Sequence, residues 1–236
     1  SQWSREGPLI GSARTSDLEL EPWILNLVRE PMCRKSQPDP QQLLTSAKAG
    51  SPTVLGDLLA LYSNYLRLLA TTQLSAKLQA RVSPSDVVQE TFLEAHRDFA
   101  QFRGQSEREF LAWLRQILVN NLARLVERHI VAEKRNVHRE VSLEGMGAAI
   151  ERSTARLDAV LVDHAASPSA SACRREYVVI LADQLAQMRP DYREVIVLRH
   201  LEGLPFKEIA ERTDRTPGAT RMVWLRAINL LRQRLD

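Results

Sequence analysis

The sequence predicts an all-α protein made of two small helical domains joined by a flexible linker. Apolar residues recur at three- and four-residue spacing along most of the chain, and no segment shows convincing two-residue alternation. Val178–Leu181 and Val195–Leu198 are β-prone, yet both are embedded in helical spacing. Start and stop signals divide the pattern into helix-length pieces. Between the two patterned regions, Ala165–Ala172 reads AASPSASA, a composition that cannot bury a core.

A chain of 236 residues, 44% hydrophobic and 26% charged, can fill one large core or two small ones. The net charge of +3 is too small to argue for a nucleic-acid partner, but its distribution is uneven. After Glu211 stand Arg212, Arg215, Arg221, Arg226, Arg232 and Arg234 against Asp214 and Asp236, a local excess of four positive charges. Cys33 and Cys173 are far apart and each lacks a neighbouring thiol, which excludes a CxxC site and fits a reduced, cytoplasmic setting. No apolar run approaches the ~18 residues of a membrane span, and the first residues, SQWSREGPLIGSART, lack a signal-peptide core.

Residues 1–40 read as a partly disordered leader with one apolar island, Trp23–Val28. Leu55, Leu58, Leu59, Tyr62, Leu66 and Leu69 then mark one buried helix face, and a shorter segment, Leu74–Val82, follows. Ser83-Pro84-Ser85-Asp86 starts the next helix, whose stripe is Val88, Phe92, Ala95 and Phe99; Asp86, Gln89, Glu90 and Glu94 give it an acidic, polar outer surface. Phe102–Ser106 breaks the pattern. Ser106 and Glu109 form a capping box for a strongly apolar helix through Phe110, Trp113, Leu114, Ile117, Leu118 and Leu125. Its end is basic, from Arg124 to Arg139, a longer run than the helix dipole alone requires. Within 140–172, Met146, Ile150, Leu157 and Leu161 support a short amphipathic helix ahead of the Ser/Ala/Pro stretch. Tyr177, Leu181, Leu185 and Met188 resume helical order, and a helix from Pro190 closes at Gly203.

The last stretch, LPFKEIAERTDRTPGATRMVWLRAINLLRQRLD, carries the clearest functional signal. A short helical pattern, Phe206–Thr213, meets a polar break, Asp214-Arg215-Thr216, and a longer helix follows with Thr216 as N-cap and Pro217 in the first position. Two helices joined this tightly, the second studded with arginine, describe a helix-turn-helix presenting its second helix to a DNA major groove.

SPSDVVQETFLEAHRDFAQFRG and EREFLAWLRQILVNNLAR together resemble region 2 of sigma-70-type RNA polymerase sigma factors, and LEGLPFKEIAERTDRTPGATRMVWLRAINLLRQRL resembles region 4. With only a short linker between them, the chain is similar to the extracytoplasmic-function group. The resemblance implies a region 2-like domain at 41–139, a linker at 140–172 and a region 4-like domain at 173–236. The function it implies is that of an initiation factor that binds polymerase core, directs it to −35/−10 promoter elements and melts DNA with the first domain. Asp86, Val88, Gln89, Glu90, Phe92 and Leu93 match the segment that docks on the clamp helices of the largest polymerase subunit. Phe102, Arg103, Gly104, Gln105 and Ser106 match the loop that receives a flipped −10 base. Asn120 and Asn121 match the helix that reads and helps to melt that element, and Arg124, Arg128, Lys134 and Arg135 would hold phosphates. Arg215, Thr216, Gly218, Ala219, Arg221 and Met222 match the start of the −35 recognition helix, with Arg226 on the backbone. The implied partners are the polymerase core, including its flap, promoter DNA and an anti-sigma factor, with no membrane, cofactor or metal. The sequence departs from the family at Thr213-Asp214, where Leu-Gly is usual, and at Arg221-Met222-Val223 in place of Lys-Ser-Arg.

Other readings explain less. His96-Arg97-Asp98 imitates a kinase triplet but has Arg103 where asparagine is required and no glycine-rich loop. His129, Glu133 and His138 match no standard metal spacing. Trp113 and Trp224 fit as core anchors. A helix-turn-helix regulator with an N-terminal sensing or dimerisation module leaves DVVQETFL unexplained. A processing enzyme with a helix-turn-helix tail lacks a catalytic cluster of carboxylates, histidines or cysteines.

Overall fold

The computed structural model describes residues 39–74, 79, 81–132, 143–161 and 178–235. Helices α1 (Pro40–Lys48), α2 (Pro52–Leu61), α3 (Ser63–Gln73), α4 (Pro84–Asp98) and α5 (Glu107–Ala132) form a first bundle. Helix α6 (Leu143–Leu161) packs on α3 and α5. Helix α7 (178–186), α8 (Pro190–Ile196), α9 (Phe206–Arg212) and α10 (Pro217–Leu235) complete the chain. Among the described residues there is no strand, so the all-α expectation holds. The apolar island at 23–28, both cysteines, most of 74–82, the basic residues 133–139 and Ala165–Ala172 lie outside the described residues.

The local start signals act where the sequence places them. Ser83 Oγ accepts from Ser85 N at 3.0 Å, with Pro84 in the first position of α4. Ser106 and Glu109 close a reciprocal capping box, Glu109 N to Ser106 Oγ at 3.3 Å and Ser106 N to Glu109 Oε2 at 3.0 Å.

The predicted face from Leu55 to Leu69 is buried throughout, but it belongs to two helices. The chain turns at Tyr62, whose N–H bonds to Leu59 O at 3.1 Å and whose buried hydroxyl donates to Glu107 Oε1 at 2.9 Å. A buried phenol needs a partner, and this one lies on α5, so a tertiary bond overrides the helical pattern. Leu58, Leu66 and Leu69 are fully enclosed, each worth about 1.5–3 kcal/mol of burial.

The predicted linker carries a packed helix in its first part. Met146 and Ile150 of α6 are buried against the first bundle. Polar contacts extend the seam: Thr154 Oγ1 lies 3.3 Å from Tyr65 Oη, and Ser153 Oγ lies 3.5 Å from both Thr72 Oγ1 and Gln73 Nε2. From the same helix, Arg156 donates to Leu201 O at 2.9 Å, while Asn64 of α3 donates to Asp183 of α7 at 2.9 Å.

Helix α8 ends in a π turn, Val197–Leu201, and then in the predicted glycine stop. Leu204 N returns to Leu198 O at 3.0 Å around Gly203, whose φ is 75°, a left-handed cap one residue wider than usual because it follows the π turn. A Cβ on Gly203 would also stand 3.0 Å from the Arg156 guanidinium. Gly203→Ala therefore lowers stability by about 1–2 kcal/mol, the cost of holding an L-residue in the left-handed region. Urea unfolding measures this, and an unchanged midpoint would contradict the strain.

Candidate nucleic-acid interface

The helix-turn-helix forms as expected, and its turn rests on the residue that departs from the family pattern. Asp214 has a φ of 51°, the one positive φ outside glycine among the described residues. Aspartate tolerates that conformation better than most side chains, so the tight connection of α9 to α10 survives. Thr216 Oγ1 accepts from Ala219 N at 3.2 Å and caps α10, and the Thr220 hydroxyl, fully buried, donates back to Thr216 O. Thr216, Gly218, Ala219, Arg221, Met222 and Arg226 are exposed along one end and side of α10. Nothing lies within 4 Å of a Cβ placed on Gly218, so the free space there is open to a phosphate.

The arginines of this surface are held by their neighbours. Arg221 lies over the Phe206 ring at 5.3 Å and Arg199 over the same ring at 4.8 Å. Arg215 is half-buried, and Asp191 Oδ2 lies 3.9 Å from its Nη2 while accepting from Arg189 Nη2 at 3.1 Å. Arg215 Nη1 is buried without a hydrogen-bond partner among the described residues. A buried donor left in that state carries a desolvation cost, which an acceptor relieves once the side chain turns outward. Behind the surface, Trp224 is buried as an anchor and donates from Nε1 to His200 Nε2 at 3.0 Å. Sequence spacing gave no sign of Asp191, Phe206 or His200, which join this site only through the turn of α8 and α9.

In the first bundle the sequence-predicted residues separate by burial. Asp86, Gln89 and Glu90 are exposed on α4, and Leu93 is 73% exposed in their midst. Phe92 is half-buried, and Val88 is 3% exposed. Val88 lies in the core beside Val87, Thr91 and Ala95, as its place on the apolar stripe predicts. Asn120 is half-buried, its Oδ1 accepting from Gln116. Asn121 is buried and its amide donates to Thr91 Oγ1 at 3.3 Å, so it braces α5 on α4. Arg124 pairs with Glu94 at 2.6 Å, and Arg128 is exposed with its Nε on Arg124 O. A surface ion pair contributes little, so a phosphate can displace Glu94. Lys134 and Arg135 lie outside the described residues.

The loop from Phe102 to Ser106 borders a cavity of about 520 Å³ whose lining includes His96, Arg97, Phe102, Arg103 and Gln105. Phe102 is buried, a pillar of an aromatic cluster with Phe99, Phe110 and Trp113 at centroid distances from 5.1 to 6.4 Å. Arg103 and Gln105 are exposed and available to a ligand; Phe102 supplies a floor. Trp113 is half-buried within the same cluster. The exposed α4 face and this loop belong to the same packed bundle. Among the described residues no group of three His, Cys, Asp or Glu side chains could hold a metal, and no helix is long and apolar enough to cross a membrane. The His129–Glu133–His138 spacing falls outside the described side chains.

Two outcomes follow from these environments. Burial, with the Arg199 charge second, lowers the His200 pKa to about 4. Its Nε2 must stay unprotonated to accept from tryptophan, which only donates. Because the folded value lies below the unfolded value of about 6.5, stability is full above that pH and falls as pH drops toward 4, by on the order of 3 kcal/mol. Urea unfolding across that window, followed by circular dichroism, checks this, and His200→Gln removes this contribution to the slope. A pH-independent midpoint would contradict the burial. Replacing Asp191 with asparagine frees Arg215 from its internal counter-charge, and affinity of the second module for DNA duplex rises severalfold at low salt, because rim charges act through screened attraction. Unaltered affinity in fluorescence anisotropy would show that the two groups do not compete.

The family description Sigma-70 region 2 matches residues 61–129, and that of Sigma-70, region 4 matches residues 179–222. The ECF RNA polymerase sigma-E factor of Haemophilus influenzae is 29% identical over 196 residues, which is 83% of this chain and 95% of that protein. The ECF RNA polymerase sigma-E factor of Escherichia coli K12 is 32% identical over 156 residues, 64% of this chain and 75% of that protein. Among solved structures, CnrH in complex with the cytosolic domain of CnrY is 23% identical over 84% of this chain and 98% of that one, with a TM-score of 0.32. Both family regions in order on one chain, together with relatives aligned over most of their own length, establish that this protein belongs to the extracytoplasmic-function group of the sigma-70 family and is an initiation factor that directs RNA polymerase to promoters.

Proposed function

We propose that the two modules divide promoter recognition as the family regions suggest, with residues 41–139 serving core binding and the −10 element and residues 173–236 reading the −35 element. The observation that carries this reading is the segregation of surfaces. An acidic and apolar helix face on α4 (Asp86, Gln89, Glu90, Leu93) suits another helix, while the cationic start of α10 suits a duplex. Leu93 is the natural anchor of the first surface, since a large exposed aliphatic side chain gains most from being covered by a partner. On the second, Arg215 and Arg221 flank a helix N-terminus whose free N–H groups favour phosphate. The loop 102–106 with Asn120 then takes an unpaired −10 base, and Arg124 and Arg128 hold the neighbouring backbone. Phosphodiester chemistry belongs to the polymerase in this scheme, and this chain supplies no catalytic group. The polymerase flap and an anti-sigma factor enter as partners through the family resemblance. A cytoplasmic site of action follows from work on the polymerase.

Run-off transcription with purified core enzyme on a genomic promoter library tests the scheme as a whole, and the absence of any promoter-specific transcript would overturn it. The separate roles are tested by substitution. Gln89→Ala with Glu90→Ala weakens core binding and leaves −35 duplex binding unchanged. Arg221→Ala weakens −35 duplex binding and flattens its salt dependence by about one unit of slope, the signature of one lost phosphate contact. A base contact instead of a phosphate contact would relax sequence preference and leave the slope as it was.

A further inference from the structure

Helix α1 lies outside the residues matched by the family regions, yet its side chains hold the loop 102–106 in place. Two loop carbonyls are taken by α1: Lys48 Nζ donates to Gly104 O at 2.5 Å, and Gln41 Nε2 donates to Gln105 O at 2.9 Å. The same Gln41 side chain accepts from Glu107 N at 2.9 Å through Oε1, so one amide bridges the end of the loop and the first residue of α5. Gln41 is itself fixed, because Asp39 Oδ1 accepts from its backbone N–H at 2.9 Å and caps α1. Lys48 sits in the last turn of α1, where a cation is favoured, and its ammonium stands 5.4 Å from the centroid of Phe102.

The loop cannot relax by itself. A Cβ on Gly104 would fall 2.4 Å from Phe102 Cζ and 2.8 Å from Glu109 Cβ, so the backbone lies flat against the ring and the first turn of α5. The cavity beside it has walls from both parts of the chain, Lys48 and Ser51 on one side and Arg97, Phe102, Arg103 and Gln105 on the other. With the Gly104 and Gln105 carbonyls each held by one donor from α1, the loop backbone is fixed and the exposed side chains of Arg103 and Gln105 stand at the cavity. A site reads one base against another only when its donors are held in place before the ligand arrives.

We infer that α1 is a wall and clamp of the base-capture cavity, with Gln41 and Lys48 as positioning residues for discrimination at one position of the −10 element. This rests on the reading of the 102–106 loop as the base-capturing element. The test uses reconstituted holoenzyme and a fork-junction DNA library randomised across the −10 non-template strand, with bound sequences counted. Gln41→Met and Lys48→Met keep the bulk of each side chain and remove its polar head. Each reduces base preference by about tenfold at a single −10 position, the scale of one lost well-placed base contact. Core binding and −35 duplex affinity stay at the wild-type level, and Lys48→Arg, which can still donate to the carbonyl and stack on Phe102, restores most of the preference. Gln105→Ala is run beside them. Loss of preference in Gln105→Ala with none in the α1 variants overturns the clamp alone. No loss in any variant overturns the loop reading and the clamp together. A uniform loss at every randomised position shows a general weakening of the bundle and also overturns the clamp.

Discussion

One carboxylate oxygen sets the geometry of the first module. Glu109 Oε2 accepts from Gln105 N at 2.8 Å, Ser106 N at 3.0 Å and Ser106 Oγ at 2.8 Å. Those bonds, the Ser106 hydroxyl first and the two backbone N–H groups next, hold its pKa below the ordinary carboxylate range. They also fix where α5 begins. From that point follow the depth of Phe110 in the core, the pillar at Phe102, and the placing of Glu107 within reach of both Tyr62 and Gln41. A loop with little regular backbone bonding of its own becomes rigid because a local cap and two distant side chains share its polar groups.

The second module solves a different problem, that of holding the positive charge of Arg215 and Arg221 without a close carboxylate partner. Phe206 carries two guanidinium groups on its ring, and Asp191 lies between Arg189 and Arg215. Both are weak attachments. Stacking on a ring leaves the donors of Arg221 free to turn outward, and a carboxylate at 3.9 Å restrains Arg215 without satisfying it. The price is a half-occupied cation beside the helix start. The His200–Trp224 bond, dry and neutral, gives the floor against which these side chains can move.

What the sequence made legible was local. Ser83-Pro84, Ser106 with Glu109, Thr216-Pro217 and Gly203 act through neighbours within a few residues, and each appears in the structure as read. Asp214 belongs with them, because its left-handed conformation follows from the tightness of the turn. What escaped depends on the partner of a helix. Periodicity cannot show that Tyr62 breaks a run of buried leucines to reach Glu107, nor which of two adjacent asparagines turns inward to Thr91. Val87 and Thr91 join the predicted stripe residues Val88 and Ala95 on the inner face of α4, which periodicity alone does not show. The contributions of Gln41, Lys48, Asp191 and Phe206 come from elements folded onto the site, and no motif marks them.

Helix α6 ties the two halves together by an attachment that ignores side-chain identity at its far end. Arg156 grips Leu201 through a backbone carbonyl, and the tight approach over Gly203 asks only for the absence of a side chain. Every residue type except proline and glycine presents that carbonyl in much the same way at such a turn. Substitutions on the exposed face of α10 therefore leave the tether untouched. The surface that the second module presents can change while its connection to the first stays the same.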